Sequence, residues 1–503
     1  MEETYELVIR QGRVVLPDEV KQLDIGIAGG RIAALGSRLP IGPDTRVVDA
    51  EGLYVLPGMI DMHVHFNEPA LGHWEGFRSG SAALAAGGCT TYADMPLNGN
   101  PPTVNGAALR LKTEAAAGNS VVDYVLWGGL VPGNLEQLEE LWAAGVTGFK
   151  AFLSNPGGFG AGRFREVDDD TLYQGMKKIA DLGGILALHA ESEAITAVLA
   201  ADAESKGLQG ALDWASTRPP EAELEAVNRA LLYAQRTGCR LHFVHISTAA
   251  AMERIHEAKQ RGLDVSVETC PHYLLLNEQQ MAALGPVAKC APPLRSEVER
   301  EQLWQVLAEG KIDLVASDHS PCPTDLKVKP GLSFAEAWGG ISGAQSSLEL
   351  LFHEAVHVRG LPVTLIAQLL ADGPARRFGL EQRKGRIAPG LDADLVLLDP
   401  AASYTLAAGD LLYRHKHSPY VGMALSCRVV ATFSRGTAVY TAADGLLAAD
   451  RGRWLHGKEE QGESGERLQG SEELGESGEQ LQGSEEQGES GKRLQGREGQ
   501  AGL

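Results

Sequence analysis

Cysteine is scarce: six occur in 503 residues (Cys89, Cys239, Cys270, Cys290, Cys322 and Cys427), and no two stand in a Cys-x-x-Cys pair. Such scattering in a long chain predicts reduced thiols in a cytoplasm and no disulfides. Long apolar runs are missing as well. Nowhere do eighteen apolar residues follow one another, so no membrane span is expected. Basic residues are outnumbered, with 45 Lys and Arg against 66 Asp and Glu and a net charge of −21. That balance argues against a surface that follows a nucleic-acid backbone, which needs clustered Lys and Arg, and an acidic exterior mainly serves solubility. The first stretch, MEETYELVIRQGRVV, carries acidic residues where a secretory leader needs basic ones and has neither an apolar core nor a small-residue cleavage site, which again predicts a cytoplasmic location.

What is present suits a large globular protein. Hydrophobic residues make up 44% of the chain and charged residues 22%, enough for an ample core. The length exceeds one ordinary domain but fits an α/β barrel with an appended unit. Residues 462–500 are three copies of a thirteen-residue unit, GESGERLQGSEEL, GESGEQLQGSEEQ and GESGKRLQGREGQ. With so few apolar side chains, residues 457–503 are expected to form a disordered tail.

Eight short apolar runs, each followed by a longer helix-like segment, lie between residues 57 and 385. They are MIDMHVH (59–65), CTTYADM (89–95), VDYVLWGG (122–129), TGFKAFL (147–153), ILALH (185–189), RLHFVH (240–245), DVSVET (264–269) and IDLVASD (312–318). Intervening stretches such as 219–238 and 248–262 place apolar residues at helical spacing and end in glycine. Eight such alternations predict a closed (β/α)8 barrel of the TIM type over 57–385. The flanks, 1–56 and 386–456, read instead as short strands separated by Gly and Asp. The expectation is that both chain ends build one small β-sandwich beside the barrel; two separate β modules are the alternative.

In such barrels the reactive side chains stand at the carboxyl ends of the strands. Those ends carry His63 and His65, Lys150, His189, His245 and Asp318. Each has an ordinary explanation taken singly: a hydrogen-bonded core histidine, a lysine reaching solvent, an aspartate capping a helix. Six ionisable groups at equivalent positions are harder to explain that way, because burying them together is costly unless they share a cation. His63 and His65 are two residues apart on a strand, so their imidazoles face one side. Four imidazoles and a carboxylate suit zinc or a similar dication, with cobalt or manganese as alternatives. Lys150 is the odd member, since an ammonium repels metal. It fits if CO₂ adds to the neutral amine, because a carbamate (N6-carboxylysine) bridges two cations through its two oxygens. Two ions would lower the pKa of a water, and Asp318 would carry its proton to a departing nitrogen. The chemistry so implied is amide hydrolysis.

The stretches GMIDMHVH, GFKAFL, LALHAE, FVHIST and VASDHSPCP resemble the cyclic amidohydrolases, the family of dihydroorotases, hydantoinases, dihydropyrimidinases and allantoinases. The resemblance spans about residues 5–455. It implies one metal on His189 and His245, a second on His63, His65 and Asp318, a carbamylated Lys150 shared between them, and a homotetramer. Dihydroorotases carry Arg where this chain has Asn67, and place Asn directly after Met-Pro where this chain has DMPLN, ending at Asn98. Without the guanidinium fork a carboxylate-bearing substrate loses its strongest clamp. Hydantoinases carry Tyr where this chain has Asn155, and Asn67, Asn98 and Asn155 are expected to line the substrate site and offer it neutral donors and acceptors. The stretches EPALGHWEGF, ETCPHYL, KCAPPLR, AWGGISG and YRHKHSPYVG are similar to the allantoinase branch, implying that the hydantoin ring of allantoin is opened to allantoate, with backbone near Ala291 and Gly339 holding the ring amide. A broad-specificity hydantoinase or dihydropyrimidinase is the alternative; a metal-free assembly protein on the same barrel is a third reading.

Overall fold

Eight parallel strands form the centre of the molecule, and all eight coincide with the apolar runs. In the computed structural model, which describes residues 4–157, 162–448 and 450–456, they are Met59–Val64, Cys89–Asp94, Asp123–Leu126 continuing into Gly128–Gly129, Phe149–Phe152, Ile185–His189, Arg240–Phe243, Val265–Thr269 and Leu314–Val315. Nearly every residue in them is buried, because side chains on one face fill the barrel and those on the other meet helices. Each strand pairs in parallel with the next along the chain; the third run meets its second neighbour through Asp123–Leu126 and its fourth through Gly128–Gly129. A parallel bridge between Val64 and His319, reinforced by His65 N–H donating to the His319 carbonyl at 2.8 Å, closes the ring.

The helices follow the strands with local signals to match. Pro220–Thr237 begins with proline in its first turn and ends at Gly238, whose φ of 70° is the left-handed cap that glycine adopts without strain. Ala249–Gln260 starts at Thr248, whose hydroxyl accepts from the Ala251 amide, and Asp168 caps Asp169–Asp181 in the same way through Thr171. At the barrel wall Gly80 allows close approach: a Cβ there would lie 2.2 Å from the Phe66 ring.

Both chain ends join in one hydrogen-bonded sheet of nine strands. Leu395–Asp399 pairs antiparallel with Tyr54–Pro57, which lies beside Leu7–Val15, and Arg428–Ser434 continues the sheet on the other side. Its own apolar cluster includes Leu7, Ile9, Ile25, Leu395 and Phe433, drawn from both ends. The end of the segment 386–456, which sequence groups with this sheet, runs instead along the third barrel strand. Tyr124 N–H donates to Arg453 O at 2.9 Å and Leu455 N–H to Tyr124 O at 2.8 Å, and Leu455 packs among barrel residues. The tail 457–503 lies outside the described residues.

A buried ionic cluster joins sheet and barrel. Lys384 Nζ contacts Asp394, Asp123 at 2.9 Å and Asp392 at 3.5 Å, while Arg435 pairs with the other side of Asp123. Asp123, Asp392 and Asp394 resemble a cation site in outline. The Lys384 ammonium supplies the positive charge there. All six cysteines are buried and free of disulfides.

Candidate metal and catalytic site

The six ionisable residues marked in sequence converge at the carboxyl end of the barrel. His63 lies within the first strand and His65 one residue beyond it, on one face, with ring centroids 5.3 Å apart. Lys150 lies within the fourth strand and His189 ends the fifth. His245 and Asp318 stand two and three residues past their strands, and both take left-handed backbone, with φ of 41° and 44°. Non-glycine residues adopt that conformation at a cost, and such strain gathers where geometry serves function.

The distances describe a cluster of lone-pair donors. His189 Nδ1 and His245 Nε2 are 3.0 Å apart, and the Nε2 atoms of His63 and His65 each lie 3.3 Å from Asp318 Oδ1. Ligating atoms of His63, His245 and Asp318 all fall within 4.8 Å of one another. Burial lowers the pKa of His65, His189 and His245, leaving neutral imidazoles. Burial would raise the Asp318 carboxyl, but the surrounding histidines outweigh it and hold the group well below the usual carboxylate range.

Lys150 is completely buried, and its Nζ has no hydrogen-bond partner among the described residues. It sits 4.9 Å from the centroid of the Phe152 ring. Burial, against the opposing pull of Glu268 and Asp318, draws its pKa down to about 7. A buried amine without a partner is unfavourable unless something else satisfies it. The donor set therefore fits divalent metal: four imidazoles, a carboxylate and an amine whose pKa burial lowers, gathered at one point.

Two buried glutamates orient two of these imidazoles. Glu268 accepts from His63 Nδ1 at 2.6 Å and from His242 Nε2 at 3.0 Å, which leaves His63 Nε2 directed at Asp318. Glu191 lies 2.7 Å from His189 Nε2 and 2.5 Å from Arg218 Nη1, leaving His189 Nδ1 to face His245. Despite burial, which alone would raise them, Glu268 and Glu191 are held at about 2, by His63 and His242 in one case and by Arg218 and His189 in the other. Sequence reading passed over both. The available signal was an acidic residue inside an apolar run for Glu268, and the position two after a candidate ligand for Glu191.

A cavity of about 500 Å³ opens over the cluster. His63, His65, His189, His245 and Asp318 form its floor, and Asn98, Asn155, Ala291 and Gly339 lie on its lining, as do Arg218, Lys289 and Trp214, which sequence reading did not single out. Asn155 is partly committed: its Oδ1 accepts from Gly157 N–H at 2.9 Å and Arg163 Nη1 at 3.2 Å. Asn67 requires a correction. It is buried, with φ of 66°, and its amide donates to Pro321 O at 3.3 Å, so it holds the loop after Asp318 instead of lining the cavity. His319 also serves packing, accepting from Gly343 N–H at 3.2 Å.

Residues 54–439 match the family model described as Amidohydrolase family. The chain belongs to the amidohydrolase family. Among curated relatives, it is 47% identical to a protein of Rubrobacter xylanophilus named "Allantoinase", over 91% of this chain and 99% of that one. It is 42% identical to an Escherichia coli O9:H4 protein of the same name, over 90% and 99%. Among solved structures, the L-hydantoinase (dihydropyrimidinase) of Arthrobacter aurescens superimposes with a TM-score of 0.86 at 32% identity, covering 90% of this chain and all of that one. A dihydropyrimidinase from Brevibacillus agri gives 0.81 at 31% identity, over 89% and 98%. No helix among the described residues is long and apolar enough to cross a membrane.

Proposed function

We propose that this amidohydrolase opens the hydantoin ring of allantoin by hydrolysing its ring amide, giving allantoate. The observation that carries the reading is the convergence of His63, His65, Lys150, His189, His245 and Asp318 beneath one cavity, in a chain 42–47% identical along nearly its whole length to proteins named "Allantoinase". His63, His65, His189, His245 and Asp318 would hold two divalent ions, with zinc the ion proposed and a carbamate on Lys150 shared between them. When bound, such ions lower the pKa of a water and polarise the scissile carbonyl. Asp318 takes the proton of the attacking water and delivers it to the leaving ring nitrogen. Asn98 and Asn155, on the cavity lining, offer neutral donors and acceptors to the substrate's ureido group. We further propose a cytoplasmic homotetramer, on the family resemblance and the reduced cysteines.

The alternative is a hydantoinase of broad specificity, favoured by the superposition on hydantoinase structures. Specificity constants for allantoin, hydantoin, dihydrouracil and dihydroorotate, with metal content measured on the same sample, separate the two. Allantoin should rank first, hydantoin lower because it leaves polar cavity groups unpaired, and dihydroorotate should be nearly inert. A clear preference for hydantoin or dihydrouracil overturns the assignment.

A further inference from the structure

Two lysines beside the cavity have no carboxylate partner among the described residues. Lys289 Nζ donates to the carbonyls of Ala335 at 2.8 Å and Ala337 at 2.7 Å, and lies over the Trp214 ring, 4.1 Å from its centroid. Lys327, 1% exposed, donates to the carbonyls of Gly340 at 2.5 Å, Trp338 at 2.6 Å and Lys289 at 3.1 Å. Three carbonyl dipoles around one buried ammonium replace part of its hydration, and a charge-assisted bond is about twice as strong as a neutral one.

The geometry of these bonds crosses between two segments far apart in the chain. One runs through Lys289 to Ala291, the other from Ala335 to Gly340, and both line the cavity. Neither segment belongs to a helix or a long strand; Gly340 N–H donates to Lys289 O at 2.9 Å and Lys289 Nζ bonds across to Ala335 and Ala337, while Trp214 Nε1 holds Cys290 O at 3.2 Å and Trp338 N–H donates to Leu326 O at 2.9 Å. Lys327 grips both: Lys289 O on the first segment, and Trp338 O and Gly340 O, which flank Gly339, on the second. At Gly339 itself a Cβ would meet nothing within 4 Å, so that residue borders open space. Trp338 is anchored on its far side by its indole N–H donating to Ser320 O at 3.3 Å and by edge-to-face contact with Trp74 at 4.8 Å.

We propose that Lys327 is a positioning residue for the substrate, its ammonium tying the Ala291 segment to the Gly339 segment and thereby setting the width of the cavity they border. The inference rests on the cavity being the substrate site. Among the described residues Lys327 forms no hydrogen bond or ion pair with the proposed metal ligands, so its loss should act on substrate binding and leave the metal cluster as it is.

The test is steady-state kinetics of the full chain carrying Lys327→Met or Lys327→Ala, with metal content and melting temperature measured on each. The expected result is a rise in KM of about tenfold or more in both variants, kcat within about threefold of the unsubstituted chain, and unchanged metal content. In Lys327→Ala, millimolar methylammonium should lower KM again by re-occupying the carbonyl cage, whereas tetramethylammonium, which has no N–H, should not. Methionine keeps the length and apolar stem of lysine, so a folded variant is available if alanine collapses the loop. KM within twofold of the unsubstituted value in folded Lys327→Met overturns the proposal, and so does a fall in kcat and metal content with KM unmoved. If the unsubstituted chain ignores allantoin but opens hydantoin, the substrate assignment fails while the same KM comparison on hydantoin still tests Lys327.

Discussion

Glu191→Gln probes how the buried glutamates orient the proposed metal ligands. The carboxylate is fully buried, and a single oxygen receives both His189 Nε2 and Arg218 Nη1. Glutamine keeps the shape but removes the charge, so the contact to His189 becomes a neutral hydrogen bond, weaker by about 1–1.5 kcal/mol on the usual scale. His189 then orients less firmly and is a poorer electron-pair donor, which predicts roughly tenfold weaker metal binding, the low end of the range for groups that orient metal ligands. A second cost falls on stability. The other carboxylate oxygen has no partner among the described residues, so glutamine that keeps its oxygen toward His189 and Arg218 must bury its amide group unpaired, at about 1–3 kcal/mol. Competition with a chromogenic chelator measures the metal affinity, and thermal melting of the chelated protein measures the stability separately. Metal affinity within twofold of the unsubstituted protein, in a variant that folds, would refute the claim that Glu191 orients His189.

Lys150→Ala should lose bound metal and hydrolysis together, with partial return of both in millimolar formate or acetate, whose carboxylate stands in for a carbamate; full activity without either would remove Lys150 from the site. Asp318→Asn keeps the size but not the basicity, and kcat should fall by roughly two to four orders of magnitude, read at saturating substrate in a metal-replete sample. Lys384→Met removes the cation shared by Asp123, Asp392 and Asp394, leaving buried carboxylates poorly compensated; unfolding free energy from denaturant titration should drop by about 3–5 kcal/mol, and an unchanged midpoint would show that Arg435 and Arg383 suffice.

Much of the architecture was legible because a parallel strand buried on both faces reads as an unbroken apolar run, and a polar residue at its end stands out against that background. His63, His65, Lys150, His189, His245 and Asp318 were found on that contrast, and their order along eight alternations already placed them at one end of a barrel. Two-residue spacing likewise put His63 and His65 on one face without any tertiary information. Asn67 shows where such reasoning stops: its neighbours in sequence are candidate site residues, but its amide is buried and donates to Pro321 O.

Sequence by itself therefore determined the barrel and the strand-end residues proposed as metal ligands, because both are written in local periodicity or composition, whereas the joining of the two chain ends in one sheet was decided by the fold. Only the tertiary structure decided which groups orient those ligands and shape the space above them. Glu268 reaches His63 across 205 positions, Lys327 joins segments 38 and 13 residues away, and the segment around Arg453 lies on Tyr124 more than three hundred residues earlier. Such contacts arise when the barrel closes and brings remote strand ends within hydrogen-bonding distance, and a repeat of two or 3.6 residues carries no record of that closure.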